Sequence, residues 1–366
     1  MLYDVEVPPE FNLLYDLQKI INPITVDLKS DLLGYLEINP TMMHDFYQRI
    51  IVYEFCTFLQ YHPLKIDMIV GVCEDLLDKY PESKLFRDSL LELGINHYSI
   101  LILKLYKAGF YTLTEIIPAL NVKHFVTSAI VFSCVIDDIY GLCANYYDFK
   151  DKSEKLKDLS LLTKSDITVL CEQGWLFGTL GHVLKYDEVE EMKSLVVMPG
   201  FSYSNELKSE FEQSKVTLSM KPLSMAAFFG SIKCFKIALV EGAQLEKSVY
   251  QSAFFGGCYE IVRLIDLSIP EANYLTYASQ GKNHDILNWM LESNDFDFGS
   301  IMKDTISGND MVFITFLLSK GVIPDMKDGI YRNPLCEAAS NQNIPLIKYF
   351  LRTGADVNIR NSGLIQ

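Results

Sequence analysis

The feature that most constrains this chain is a pattern in its second half that recurs at intervals too short for a domain. Taking the turn between two helical stretches as reference, equivalent positions fall at Gly230, Gly256, Gly281, Gly308 and Gln342, spaced 26, 25, 27 and 34 residues apart. Three residues before each stand Ala227, Ala253, Ala278, Thr305 and Ala339, and seven before stand Leu223, Val249, Tyr274, Ile301 and Leu335. Five residues after each come Phe235, Ile261, Ile286, Phe313 and Ile347, and three further on come Ala238, Leu264, Trp289, Phe316 and Phe350. Small residues on one stretch and large apolar ones at i, i+3 spacing on the next describe a helix pair made five times. No such pair buries its apolar face alone, so each must stack on its neighbour in a solenoid.

The last unit carries the motif most fully, as Asn333-Pro334-Leu335-Cys336-Glu337-Ala338-Ala339, then Ile344 to Leu351, closed by Gly354-Ala355-Asp356-Val357-Asn358. Asn333 suits an N-cap, and Pro334 suits the first helical position, where a missing N–H costs nothing. Ala338 and Ala339 admit a closely packed second helix, whose buried face is Ile347, Phe350 and Leu351. Gly354 ends that helix, in the left-handed conformation glycine adopts without a Cβ penalty.

These residues resemble an ankyrin repeat, and the likeness extends from Lys221 to the end of the chain. The short units behind a long helical region are similar to the large ankyrin families of some single-celled eukaryotes. An ankyrin unit spans about 33 residues, two helices and a β-turn finger. At 25 to 27 residues these units have room for little beyond the helices, so the fingers are expected to be trimmed to tight loops in all but the last junction. Tyr186 to Val196 reads as the second helix of a still more degenerate first repeat. The resemblance implies a non-enzymatic scaffold that binds another protein and carries over no catalytic residue.

Residues 9 to about 175 read as helices: Pro40 to Tyr61, Pro63 to Tyr80, Ser83 to Ala108 and Val122 to Tyr146 each hold apolar residues at helical spacing. The fold class is therefore all-α, a solenoid of five to six stacked helix pairs preceded by an α-helical domain. The expected division is an N-terminal domain over 1–150, a linker and degenerate repeat over 151–220, and the array over 221–366, with Lys150 to Lys157 as the charged linker.

A net charge of −15 makes nucleic acid and anionic membranes poor partners and favours a basic protein. The eight cysteines include no CxxC pair, a reduced pattern that points to the cytoplasm, with nuclear entry left open. The opening residues lack a signal-peptide core, and the apolar run Phe125 to Ile136 is too short to cross a bilayer.

The search for chemistry returns little. Asp137-Asp138 resembles the start of an aspartate-rich metal motif, but Gly141 and Leu142 follow and no second acidic cluster does, so it reads as a solvated or capping pair. The six histidines show no metal-ligand spacing, and His284 reads as a structural side chain bonding between units. No nucleophile motif or phosphate-cradling loop is present, and neither cofactor nor metal is expected.

One feature marks a binding surface. Adjacent units repeat an aromatic pair, Phe228-Phe229 and Phe254-Phe255, at positions that by analogy with ankyrin arrays face the partner. The candidate partner-binding set is Met225, Phe228, Phe229, Gln251, Phe254, Phe255, Thr276 and Gln280. Two readings of the rings stay open: an exposed hot spot, or inward packing permitted by the shortened fingers. A second functional reading makes the chain a substrate-holding adaptor of a larger enzyme complex, contacted through the N-terminal helices. The end of the array lacks a polar capping helix, so Leu346, Ile347 or Phe350 should be partly uncovered. That predicts a frayed end, end-to-end self-association or a truncated product.

Overall fold

The structure, a computed structural model, describes residues 2–21, 28–39, 45–120, 129–137, 139, 161–214, 220–265, 272–293, 296, 298, 301–322, 334–341 and 343–358. Among them there are helices and no strands beyond one isolated bridge, between Leu207 and Met220. The helices are α1 (Asn12–Ile21), α2 (Leu28–Ile38), α3 (Asp45–Tyr61), α4 (Ile66–Lys79), α5 (Lys84–His97), α6 (Ser99–Lys107) and α7 (Leu113–Ala119). After these come α8 (Lys164–Gln173), α9 (Leu180–Tyr186), α10 (Val189–Val196), α11 (Pro222–Phe229), α12 (Ile232–Val240), α13 (Lys247–Gly256) and α14 (Tyr259–Leu264). The last are α15 (Ala272–Gln280), α16 (His284–Ser293), α17 (Met302–Ser307), α18 (Met311–Ser319), α19 (Pro334–Ser340) and α20 (Ile344–Arg352). The expected linker at 150–157, the cap at Asn333, and most of the expected helix over 122–146 lie outside the described residues.

Contacts divide the chain into two compact units, residues 29–245 and residues 1–28 together with 246–366. In the first, α3 packs along α5, burying Phe55, Phe58, Phe86 and Leu90. Helix α6 is apolar almost all round, which suits a helix covered on every side. Accordingly Ile100 to Leu103 and Leu105 are buried, with α4, α5 and α8 packed against it.

Two helix pairs complete this unit: α9 stacks on α11 and α10 on α12. The degenerate repeat is thus a full pair. Its second helix starts at Val189, because Asp187 adopts a left-handed conformation (φ 56°) that ends α9 at Tyr186. Beneath the pair, the Lys185 ammonium donates to Glu212 Oε2 (2.7 Å) and to the Gln173 carbonyl (2.8 Å), and Trp175 Nε1 donates to the same Glu212 oxygen (3.2 Å). Ser214 donates to the other oxygen through both its backbone N–H and its hydroxyl. A buried ion pair is tolerable only when its remaining lone pairs and protons are met in this way.

In the second unit the first helices α13, α15, α17 and α19 stack in order, and each is packed by its own second helix, α14, α16, α18 or α20. Residues 1–28 complete this unit, with α1 packed on α18. The described residues therefore hold six helix pairs, two in one unit and four in the other.

The reference turn needs a one-residue correction in three repeats. The left-handed residues are Gly230, Gly257, Lys282 and Asn309, with φ of 73°, 75°, 54° and 53°. Gly256 is still helical, Gly308 is right-handed, and Gly281 lacks positive φ. Sequence spacing marks a glycine near each turn. The backbone, however, reverses one residue later, where glycine or asparagine carries the strain or, at Lys282, a buried side chain holds the turn by donating to Asn309 O (3.1 Å).

The expectation that Leu346, Ile347 or Phe350 is partly uncovered holds at one of the three. Leu346 and Phe350 are fully buried, and only Ile347 is half-exposed. Part of the reason lies at the far end of the sequence, where buried Phe11 sets its ring 5.1 Å from that of Tyr349 and Glu10 pairs with Arg352 at 3.0 Å.

Candidate interaction surface

At three of the turns between first and second helices, a polar residue opening the second helix bonds back to the preceding pair. Ser231 donates its hydroxyl to Leu184 O. Asn283 donates to Phe254 O (2.8 Å) and Phe255 O (2.9 Å), and Asn343 donates to Asn309 Oδ1 (2.6 Å). These bonds fix the register in which first helices stack. Space at this seam is tight, since a Cβ on Gly257 would collide with the Asn283 side chain and one on Gly281 with both Asn283 and the Phe255 carbonyl.

Stacked in that register, α13 and α15 bring a set of aromatic and amide groups together. Phe254 is fully buried and stacks on Tyr274, with centroids 4.8 Å apart and planes 9° from parallel. Tyr250 stacks on the same tyrosine from 6.0 Å. Phe255 is half-buried and tilts against Tyr277 at 5.0 Å, and Gln251 Nε2 donates to the Tyr277 hydroxyl at 2.8 Å. Gln280 is half-buried on α15.

The remaining sequence candidates are interior. Met225 and Phe228 on α11 are buried, and Phe229 is nearly so, lying edge-on to Phe228 (5.2 Å) with the Lys185 ammonium 5.4 Å from its ring centre. Thr276 is buried, and neither its hydroxyl nor that of Ser279 has a hydrogen-bond partner. The four phenylalanines therefore do not form one exposed patch: of the two open readings, inward packing describes Phe228, Phe229 and Phe254, and Phe255 alone is left half-accessible. The sequence reading missed Tyr250 and Tyr277. The available signal was an aromatic one turn from a ring on each helix: Tyr250, four residues before Phe254 on α13, and Tyr277, three residues after Tyr274 on α15.

On the second helices the accessible groups meet the chain's own N-terminal segment. Gln18 is fully buried: its Nε2 donates to Asn309 O (2.7 Å) and its Oε1 accepts from Met311 N (2.6 Å). The Leu2 N–H donates to Asn288 Oδ1 (2.8 Å), and the Tyr3 hydroxyl lies 3.1 Å from His284 Nδ1. The other nitrogen of His284 lies 3.1 Å from Asp310 Oδ1, joining one repeat to the next, and both side chains are fully buried. Asp310 Oδ1 also caps α18 by accepting from the N–H groups of Val312 and Phe313. Burial works to raise the Asp310 carboxyl, but His284, with Lys282 and the Phe313 N–H, overcomes it and holds the group below its ordinary value. Burial, followed by the charges of Asp16, Asp310 and Asp4, pushes the neighbouring Tyr15 phenol up to about 12.

Asp137 is fully exposed with Lys164 3.9 Å away, and Asp138 lies outside the described residues. Among the described residues no group of three or more metal-donor side chains converges, and no helix is long and apolar enough to cross a membrane. Residues 331–362, which contain α19 and α20, match the ankyrin repeat family. No curated protein matches the chain.

Proposed function

We propose that this chain, a divergent protein of ankyrin type, is a non-enzymatic scaffold that binds a protein partner through the first helices of its second and third repeats, α13 and α15. The ankyrin repeat is a protein–protein interaction module, and the family is generally non-enzymatic. The observation that carries the reading is the half-accessible row Tyr250, Gln251, Phe255, Tyr277 and Gln280, in which Phe255 and Gln251 brace Tyr277 and Tyr250 stacks on buried Tyr274. Aromatic rings held in place before binding lose little entropy on contact, and such groups dominate interface energetics. The net charge of −15 favours a basic partner in the encounter.

The test is an affinity capture from the source cell lysate with intact protein and a Phe255→Ser, Tyr277→Ser double variant, both verified as folded by circular dichroism. Loss of a stoichiometric partner with the variant supports the row as the contact surface. A partner retained at full yield by both excludes it.

A further inference from the structure

We propose that Tyr3 is an activated phenol, the nucleophile of a relay that runs through His284 to Asp310, and that it takes an acyl group from an activated ester. Three side chains from distant parts of the sequence carry the inference. The Tyr3 hydroxyl lies 3.1 Å from His284 Nδ1, and His284 Nε2 lies 3.1 Å from Asp310 Oδ1. These are the separations of a nucleophile from its base and of that base from the group that orients it. The relay is separate from the row on α13 and α15, and partner binding through that row does not depend on it.

The direction of the relay follows from what each atom can do. An ionised carboxylate only accepts, and Asp310 Oδ1 already receives the N–H groups of Val312 (3.1 Å) and Phe313 (3.2 Å). The proton between it and His284 therefore sits on Nε2, which leaves the Nδ1 lone pair of the neutral imidazole to accept from Tyr3. His284 and Asp310 are fully buried, while Tyr3 is partly exposed and within reach of a reagent. The Lys19 ammonium stands 5.0 Å from the centre of the Tyr3 ring, a positive charge beside the negative charge that develops as the phenol loses its proton. A neutral acyl carbon suits the setting better than a phosphoryl group. Asp4 and Glu6, just after Tyr3, line a cavity of about 680 Å³ with Glu292 and Lys320, and its carboxylates outnumber its ammonium and repel a phosphoryl donor.

The step balances. The Tyr3 oxygen attacks the ester carbonyl carbon as its proton passes to His284 Nδ1. The tetrahedral adduct then collapses, the bond from carbon to the leaving oxygen breaks, and the imidazolium gives its proton to that oxygen. An ester and a phenol have become an acylated tyrosine and a free alcohol, with no electron transferred. Asp310 is the positioning residue: it fixes the imidazole tautomer and carries the partner charge while His284 holds the proton. The acyl group stays on the chain, so the result is a covalent attachment site.

The experiment treats the full-length protein with p-nitrophenyl acetate, follows release of p-nitrophenolate, and maps acetylated peptides before and after hydroxylamine, which strips acetyl from tyrosine oxygen and not from amines. A general base contributes about 10²–10⁴-fold, so Tyr3 should be acetylated about a hundredfold faster than Tyr186 or Tyr259, which are 42% and 39% exposed. Accessibility alone predicts the reverse order. Tyr3→Phe should remove the fast release of p-nitrophenolate, and His284→Gln, which keeps a bonding side chain but no base, should bring Tyr3 down to the rate of the other two. Nitrogen NMR of the unaltered chain should show His284 protonated at Nε2 alone; in Asp310→Asn that tautomer should lose its dominance and acetylation of Tyr3 should slow. The ranking of tyrosines and the tautomer are read on the unaltered chain, so a variant that fails to fold does not shelter the proposal. Tyr3 reacting no faster than Tyr186 and Tyr259, a proton on Nδ1 of His284, or an unchanged Tyr3 rate in folded His284→Gln or Asp310→Asn would each overturn it.

Discussion

The first and second helices of repeats two to five are built from the same sequence pattern, yet they meet different surroundings. Second helices α16, α18 and α20 are contacted by residues 2–21 through bonds of defined geometry: Leu2 to Asn288, Tyr3 to His284, Gln18 to the turn at 309–311, and Phe11 to Tyr349. First helices α13 and α15 instead keep Tyr250, Gln251, Phe255, Tyr277 and Gln280 half-accessible. The contrast teaches that apolar periodicity alone does not tell a binding face from an occupied one. An array's second-helix side can be satisfied from within its own chain, and what stays accessible on the other side is the better guide to a partner.

The sharpest way to break that contrast is to compare neighbours on one helix. Phe254 is enclosed and stacked on Tyr274, so Phe254→Ser should cost about 3–5 kcal/mol, the range for truncating a buried phenylalanine. Phe255→Ser removes a half-buried ring and should cost about 1 kcal/mol while abolishing partner capture. Urea denaturation of the two variants reads the difference. Equal losses would mean that Phe255 belongs to the core and that the first-helix row is not a free surface.

How far the sequence foretold this arrangement varies by feature. The helix pairs were legible because a solenoid repeats its packing demand: Ala227, Ala253 and Ala278, with Phe235, Ile261 and Ile286, answer the same requirement in turn. The last unit was clearest, since Pro334 and Gly354 mark a helix start and stop by backbone chemistry. The turns were displaced by one residue because Gly256, Gly281 and Gly308 advertise flexibility, whereas the left-handed positions of the last two are filled by Lys282 and Asn309. The burial of Phe228 and Phe254 was open, as a ring before a turn fits either side of a helix until its neighbours are known. Least legible was the N-terminal segment. Gln18 gives no sign in sequence that it will meet residues nearly three hundred positions away, and no local pattern records that contact.

Gln18→Ala examines that contact directly. The substitution leaves the buried Met311 N–H without its acceptor, while the Asn309 carbonyl keeps only the Lys282 ammonium as donor. An unmet buried polar group costs about 1–3 kcal/mol. The expected outcome is a loss of that size in denaturant, accompanied by faster hydrogen exchange in α1. Unchanged protection of α1 would show that apolar contacts such as Phe11 on Tyr349 suffice and that the polar bonds are incidental.

The charge at Asp310 becomes informative on acidification. Burial alone would raise the Asp310 carboxyl, but His284, Lys282 and the Phe313 N–H leave its folded value below its ordinary, unfolded one. The sign follows: the carboxylate contributes stability that is present in full above the unfolded value, near pH 4, and is lost as pH falls through the lower folded value. Asp310→Asn keeps a side-chain acceptor for Val312 and Phe313 but removes the charge beside His284. Wild type should exceed the variant in stability at pH 7, by about 1–3 kcal/mol for a hydrogen bond to a charged group, and the gap should close below pH 4. Chemical denaturation at a series of pH values measures it. A gap that persists in acid would assign the benefit of Asp310 to its shape as a cap, and the joint between the third and fourth repeats would then owe nothing to charge.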